Sequence, residues 1–182
     1  MFFYRILSKL LDYPDEGLLG ALWEIRERTR LGSEFEAHER PVVAAFVDHL
    51  ESRSLTEAQG DFVQTFDLTP AHALHLTHHL FGDDKNRGPA LIDLTEFYKE
   101  YGFELVTREG AANEDAVNEL PDYLPLVLEF ASQLGPDEAR VFLSQWSKVL
   151  NQLAANLEEA GSPYAPLVRL IEQRSLLVKA AA

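Results

Sequence analysis

Apolar residues recur at every third or fourth position along nearly the whole of this 182-residue chain, and no stretch alternates like a half-buried strand. That spacing gathers them on one face of a 3.6-residue helix. The chain is therefore restricted to packed helices. Phe2, Phe3, Ile6, Leu7, Leu10 and Leu11 predict a first helix, stopped before Pro14. Leu18, Leu19, Leu22 and Ile25 predict a second, and Val42, Val43, Phe46, Val47 and Leu50 a third. Thr56 is placed to cap a fourth that carries Phe62 and Phe66. Pro70 suits the first position of a fifth, and Gly102 ends a sixth striped by Leu91, Leu94, Tyr98 and Tyr101. A seventh starts near Pro121, an eighth runs from Pro136 through Trp146 to Leu153, and a last one holds Leu167, Leu170 and Ile171. Short connections and the lack of any Ser/Gly linker or repeat predict one all-α domain over residues 1–182. Its expected form is a bundle of about eight to nine helices.

One segment breaks the period. Residues 103–118 predict a long acidic loop, because positions 104–122 hold six acids against the single base Arg108. The whole chain carries a net charge of −14, which repels nucleic acid and anionic headgroups and attracts basic ligands. Cysteine is absent, so thiolate metal sites, disulfides and a cysteine nucleophile are excluded. No apolar run approaches a membrane span. The start, Met1-Phe2-Phe3-Tyr4-Arg5, lacks the order of a signal peptide. The expectation is a cytosolic protein without membrane insertion or nucleic-acid partners.

The segment Glu119-Leu120-Pro121-Asp122-Tyr123-Leu124-Pro125-Leu126-Val127-Leu128-Glu129-Phe130 is unusually apolar for a helix. On a helical projection from Leu120 its apolar arc covers about 200°, twice what a surface helix needs. Such a helix is either central, or it buries one side and offers the other to a ligand. Tyr123, Leu126 and Phe130 extend the arc beyond the core stripe. Asp122 and Glu129 fall on the remaining strip. Asp122 reads either as a favourable charge in a first helical turn or as a carboxylate presented to a partner.

Four of the six histidines lie at 72, 75, 78 and 79. On one helix, His72, His75 and His79 project within about 60° of each other. Such a stripe suits a borderline metal, and a metal-dependent hydrolase is one class it allows. No acid in the segment completes a ligand set and no His-Glu-x-x-His core exists, so the expected metal site is none. A polar helix face lining a groove is the other reading. The Asp83-Asp84 turn lacks the length and the twelfth-position glutamate of a calcium loop. Arg87 is placed to pair with an acid of residues 104–122. No catalytic residue and no bound cofactor are expected.

Several separate words resemble the assembly chaperones of respiratory nitrate reductase, its delta-subunit family, within the wider group of molybdoenzyme maturation chaperones. They are Phe62-Val63-Gln64-Thr65-Phe66-Asp67, then Leu74-His75-Leu76 with His79 and Gly82, then Arg87-Gly88 and Asp93-Leu94. Gly102-Phe103-Glu104-Leu105 and Glu119–Pro125 follow, and Leu10-Leu11-Asp12-Tyr13-Pro14 resembles the family's start. Tyr123 and Phe81 stand where many relatives carry histidine. The resemblance implies an all-helical, non-catalytic protein. It implies binding of the N-terminal peptide of the apo catalytic (alpha) subunit, held until molybdenum cofactor insertion and before membrane docking. Cofactor-delivery proteins are further implied partners. The client-peptide residues expected on this basis are Glu119, Pro121, Asp122, Tyr123, Leu126, Glu129, Phe130, His75, His79 and Arg87. A dimethyl-sulfoxide or trimethylamine-oxide reductase is the alternative client.

Overall fold

A computed structural model describes residues 1–82, 84–105 and 119–176. Among these are ten α-helices: α1 (Phe2–Leu10), α2 (Glu16–Leu31), α3 (Arg40–Glu51), α4 (Leu55–Phe62), α5 (Leu76–Phe81), α6 (Arg87–Glu100), α7 (Leu124–Gln133), α8 (Pro136–Ser144), α9 (Ser147–Glu159) and α10 (Ala165–Ser175). A π-helical turn (Val63–Asp67) and a 3-10 turn (Pro70–His72) lie between α4 and α5. The described residues form no strand, only one isolated antiparallel bridge, His75 to Tyr123. The fold is all-α, as the periodicity requires. Residues 106–118 of the expected acidic loop lie outside the described residues.

α7 is the central helix. Leu124, Pro125, Val127, Leu128, Phe130 and Ala131 are all buried, and α1 packs along it. Ser8 on α1 donates to the Pro125 carbonyl at 2.7 Å, a carbonyl near the start of α7. The wide apolar arc is thus explained by burial on several sides. The helix begins at Leu124, later than expected, because residues 121–123 are drawn into the bridge with residues 74–76. Leu120 consequently lies outside the helix and is part-exposed.

Phe130 shows how tightly α7 is held. It is 1% exposed and its ring centroid lies 4.5 Å from that of Tyr98, 5.0 Å from Phe142 and 5.4 Å from Phe103. Such offset and edge-to-face contacts add to area burial. A second aromatic cluster joins Phe46, Phe62 and Phe66 to Tyr164, at centroid distances of 4.7 to 6.2 Å. Arg174 ties α10 to the opposite end of the chain. It donates twice to buried Glu39, at 2.6 Å each, donates to the Glu34 carbonyl, and lies 3.5 Å over the Phe3 ring. A planar guanidinium can serve all of these at once.

Three local expectations change. Ser54, not Thr56, caps α4, and its hydroxyl and Glu57 exchange hydrogen bonds with the turn's amides. The predicted eighth helix is two, α8 and α9, with Trp146 between them. Trp146 is buried at this junction, which a period count over one continuous helix does not anticipate. The predicted fifth helix is a 3-10 turn, an extended stretch and the six-residue α5, ended by Gly82 at φ +53°.

Phe130→Ala should destabilise the protein by about 3–5 kcal/mol, the range for an aromatic ring deleted from a packed core. Urea unfolding followed by far-UV circular dichroism measures it. A loss below about 1 kcal/mol would show that α7 is not the central helix.

Candidate functional site

Two of the sequence words meet at the bridge. The Leu76 amide donates to the Asp122 carbonyl at 3.0 Å, and the Leu124 amide to the Leu74 carbonyl at 2.8 Å. Residues 74–76 and 122–124 are therefore extended against each other, which sets His75 beside Tyr123 with ring centroids 5.4 Å apart. This pairing is why no continuous helix runs from 70 to 81.

Asp122 is the centre of the site. It is 0% exposed. Its Oδ2 accepts from the Thr77 amide at 3.0 Å and from the Thr77 hydroxyl at 2.5 Å. Its Oδ1 lies 3.3 Å from His75 Nδ1, which donates when that nitrogen carries the proton. Arg87 Nε donates to Thr77 Oγ1 at 3.0 Å, and Arg87 Nη2 lies 3.8 Å from Asp122 Oδ2. The carboxylate thus caps the start of α5 from another part of the chain and pairs with the first residue of α6. Burial by itself would raise the Asp122 pKa, but the hydrogen bonds from His75 and Thr77 outweigh it and hold the carboxyl below its ordinary value. Tyr98 donates to the neighbouring Pro121 carbonyl at 2.8 Å, and burial pushes its phenol pKa well up.

The bridge forms one wall of a cavity of about 350 Å³. Phe62, Phe66, Pro70 and Leu74 give it an apolar lining, joined by Tyr123, His75, His78 and Asp67. The π-helical turn contributes Phe66 and exposed Asp67; its extra residue per turn is a local irregularity often found at functional sites. Tyr123 donates to Asp12 Oδ1 at 3.2 Å, so the end of α1 also reaches this wall. Burial is the main reason the Tyr123 phenol titrates high, and the negative charges of Asp12, Glu119 and Asp67 push it further. One acid, Asp67, lines this apolar pocket together with His75 and His78, and the charges of Asp12 and Glu119 act on its Tyr123 wall.

The residues singled out from sequence divide into two groups. His75 and Tyr123 line the cavity, and Glu119 is exposed close enough to act on the Tyr123 phenol. Pro121, Asp122 and Phe130 are buried; they hold the wall rather than face solvent, which corrects the expectation of a surface made by Tyr123, Leu126 and Phe130 together. Leu126 is half-buried against the core, and Glu129 is exposed on α7. Arg87 does pair with an acid of residues 104–122, and that acid is Asp122. His79 Nε2 donates to the Ala73 carbonyl at 2.7 Å, and burial chiefly lowers its pKa.

The histidine stripe does not form. His72 bonds the Thr65 carbonyl through Nδ1, His75 turns to Asp122 and His79 to Ala73, because three different backbone conformations separate them. Among the described residues no group of three or more histidines and acids is placed to hold a metal. Thr77, Asp12, Asp67 and Phe66 are the site residues that sequence reasoning did not select. Asp12, Phe66 and Asp67 sit inside quoted words; Thr77 carries no signal of its own.

The sequence profile described as nitrate reductase delta subunit matches residues 33–169. The chain is 32% identical over 166 residues to the nitrate reductase molybdenum cofactor assembly chaperone NarJ of Escherichia coli (strain K12), covering 91% of this chain and 66% of that protein. It is 30% identical over 163 residues to the probable chaperone of the same description, NarW, of that strain, covering 90% of this chain and 63% of that protein. A probable NarJ of Bacillus subtilis (strain 168) is 29% identical over 178 residues, covering 92% and 85%. The chain spans just under two thirds of the length of the two E. coli relatives.

Asp122→Asn should cost about 2–3 kcal/mol at neutral pH, since it weakens hydrogen bonds to a buried charge. Because the folded-state pKa is depressed, Asp122 stabilises the fold fully above its unfolded value, about 3.9. That contribution is lost as pH falls through the lower folded value. Urea unfolding from about pH 5 to pH 2 should give a steeper acid loss for the natural protein than for Asp122→Asn. Equal slopes would show that Asp122 is not ionised in the fold.

Proposed function

The chain belongs to the nitrate reductase delta subunit family, and from that premise we propose that it is an assembly chaperone for the catalytic subunit of a nitrate reductase. It binds the N-terminal segment of the apo subunit and holds it until molybdenum cofactor insertion, before docking at the membrane. The cofactor belongs to the client, and cofactor-delivery proteins are the second class of partner. The observation that carries this reading is the convergence of the family-like words on one apolar pocket, lined by Phe62, Phe66, Asp67, Leu74, His75 and Tyr123.

The chemistry follows from that pocket. An amphipathic segment places apolar side chains against Phe62, Phe66, Leu74 and Tyr123, and basic side chains near Asp67, Glu119 and Asp12. Burying about 500 Å² of apolar surface gives roughly 12 kcal/mol gross. Ordering the segment and losing its free motion offset much of this, which leaves micromolar to nanomolar affinity. The acids add steering of a basic segment into the pocket. His75 and Tyr123 touch the segment. Asp122, Thr77, Arg87, Pro121 and Phe130 position those two, and Leu126, Glu129 and His79 support the neighbouring surface. A non-catalytic role agrees with the chemistry of Asp122: both carboxylate oxygens are engaged inside the protein. The described residues contain no helix long and apolar enough to cross a membrane.

Calorimetric titration with the client's N-terminal peptide tests the proposal. Binding should be about 1:1, with a negative heat-capacity change. Asp67→Lys reverses an exposed charge and should weaken affinity at least about tenfold, or ~1.4 kcal/mol, with unfolding unchanged. Tighter binding of a dimethyl-sulfoxide reductase peptide would transfer the assignment to that client, and no binding of either peptide would reject the pocket.

The same charges predict a salt effect. Raising salt from about 0.05 M to 0.5 M shortens the Debye length from roughly 14 Å to 4 Å. Stopped-flow association should slow clearly while dissociation changes less. A salt-independent association rate would remove steering from the account.

A further inference from the structure

α6 runs for 14 residues and buries one of them, Tyr98, whereas α7 buries six of its ten. No residue from Asp84 to Phe97 is buried. The two ends of α6 are held differently. At its C-terminal end the rings of Phe97, Tyr98 and Tyr101 meet Phe130 at centroid distances of 5.8, 4.5 and 5.7 Å, and the Tyr98 hydroxyl bonds the Pro121 carbonyl. In the first half Leu91 and Leu94 are half-buried, Ile92 is 64% exposed, and Gly88 and Pro89 face solvent.

The sequence also gives α6 a weak start. Asn86 makes no side-chain capping bond, and no acid stands in the first turn. Gly88 loses more backbone freedom than any other residue type when it becomes helical. Pro89 disfavours helical backbone at the residue before it. Among the described residues, one side chain between Asp84 and Glu96 forms a hydrogen bond or ion pair with another element. It is Arg87, on Thr77 Oγ1 at 3.0 Å and 3.8 Å from Asp122 Oδ2. Asp122 is fully buried, so salt screens this attraction little.

We propose that the first half of α6, Arg87–Leu94, is a strap that opens from the core as a local unit about its anchored second half, with Arg87 as the latch. Few apolar contacts and one polar tie are the conditions for local opening. Opening withdraws the guanidinium from Asp122 and leaves that buried charge on Thr77 and His75 alone. The same carboxylate holds the wall of His75 and Tyr123. Closing the strap and forming the wall therefore favour each other. The proposal does not depend on the client assignment.

Native-state hydrogen exchange of the full chain, read residue by residue by NMR, tests it. The amides of Ala90–Leu94 should open at least about a hundredfold more often than those of Val127–Ala131 in α7. Arg87→Gln should raise exchange at residues 90–94 at least about tenfold, the scale of a lost hydrogen bond to a charged group. The bridge amides of Leu76 and Leu124 should follow, while α3 and α10 change little. Gly88→Ala/Pro89→Ala puts the strongest helix former at two exposed positions, and a Cβ added at Gly88 meets no atom within 4 Å. This double variant should slow exchange at residues 90–94 about threefold. Exchange at residues 90–94 as slow as in α7 would overturn the strap. An Arg87→Gln effect that is absent from residues 90–94, or equal in α3 and α10, would overturn the latch. If Arg87→Gln does not fold, the double variant decides: slowing confined to α6 supports the proposal, and unchanged or uniformly slowed exchange overturns it.

Discussion

A single buried carboxylate sets the geometry on which the candidate site depends. Asp122 has no access to solvent, yet it remains ionised because Thr77 and His75 hydrogen-bond it from a distant part of the chain. An uncompensated charge at this depth would be strongly destabilising, so the partners must be in place whenever the fold is. That requirement fixes the start of α5, the approach of α6 through Arg87, and the entry into α7. The apolar helices supply most of the burial. The carboxylate determines which backbone segments lie side by side where they meet.

The consequences spread outward from that point. With residues 74–76 held against 122–124, His75 and Tyr123 become neighbours and close one side of the pocket. The π-helical turn brings Phe66 and Asp67 to the other side. Tyr123 then reaches Asp12, so α1 is fixed both by its long contact with α7 and by a hydrogen bond at its end.

The helices were legible in the sequence because helical burial has a short period. Phe3, Ile6, Leu7 and Leu10 announce α1, and all four are buried. The centrality of α7 was half legible: its apolar arc was too wide for a surface helix, but width alone did not say which neighbours covered it. Pro121, Asp122 and Phe130 entered the candidate surface for that reason, and each is buried by a partner remote in sequence. The histidines misled for a related cause. Their spacing had meaning only on a continuous helix, and the backbone from 70 to 81 changes conformation twice.

The sequence by itself determined the class of fold, the number of helices to within one or two, and the family resemblance, since each is encoded in local spacing or in words of a few residues. Only the tertiary structure decided what those words do together. Thr77 has no distinguishing sequence context, yet its amide and hydroxyl are among the bonds that keep Asp122 charged. Asp12 and Tyr123 are 111 positions apart and share a hydrogen bond. A period of 3.6 residues reports which face of a helix is apolar. It carries no information about which other helix that face meets, and the pocket is made of such meetings.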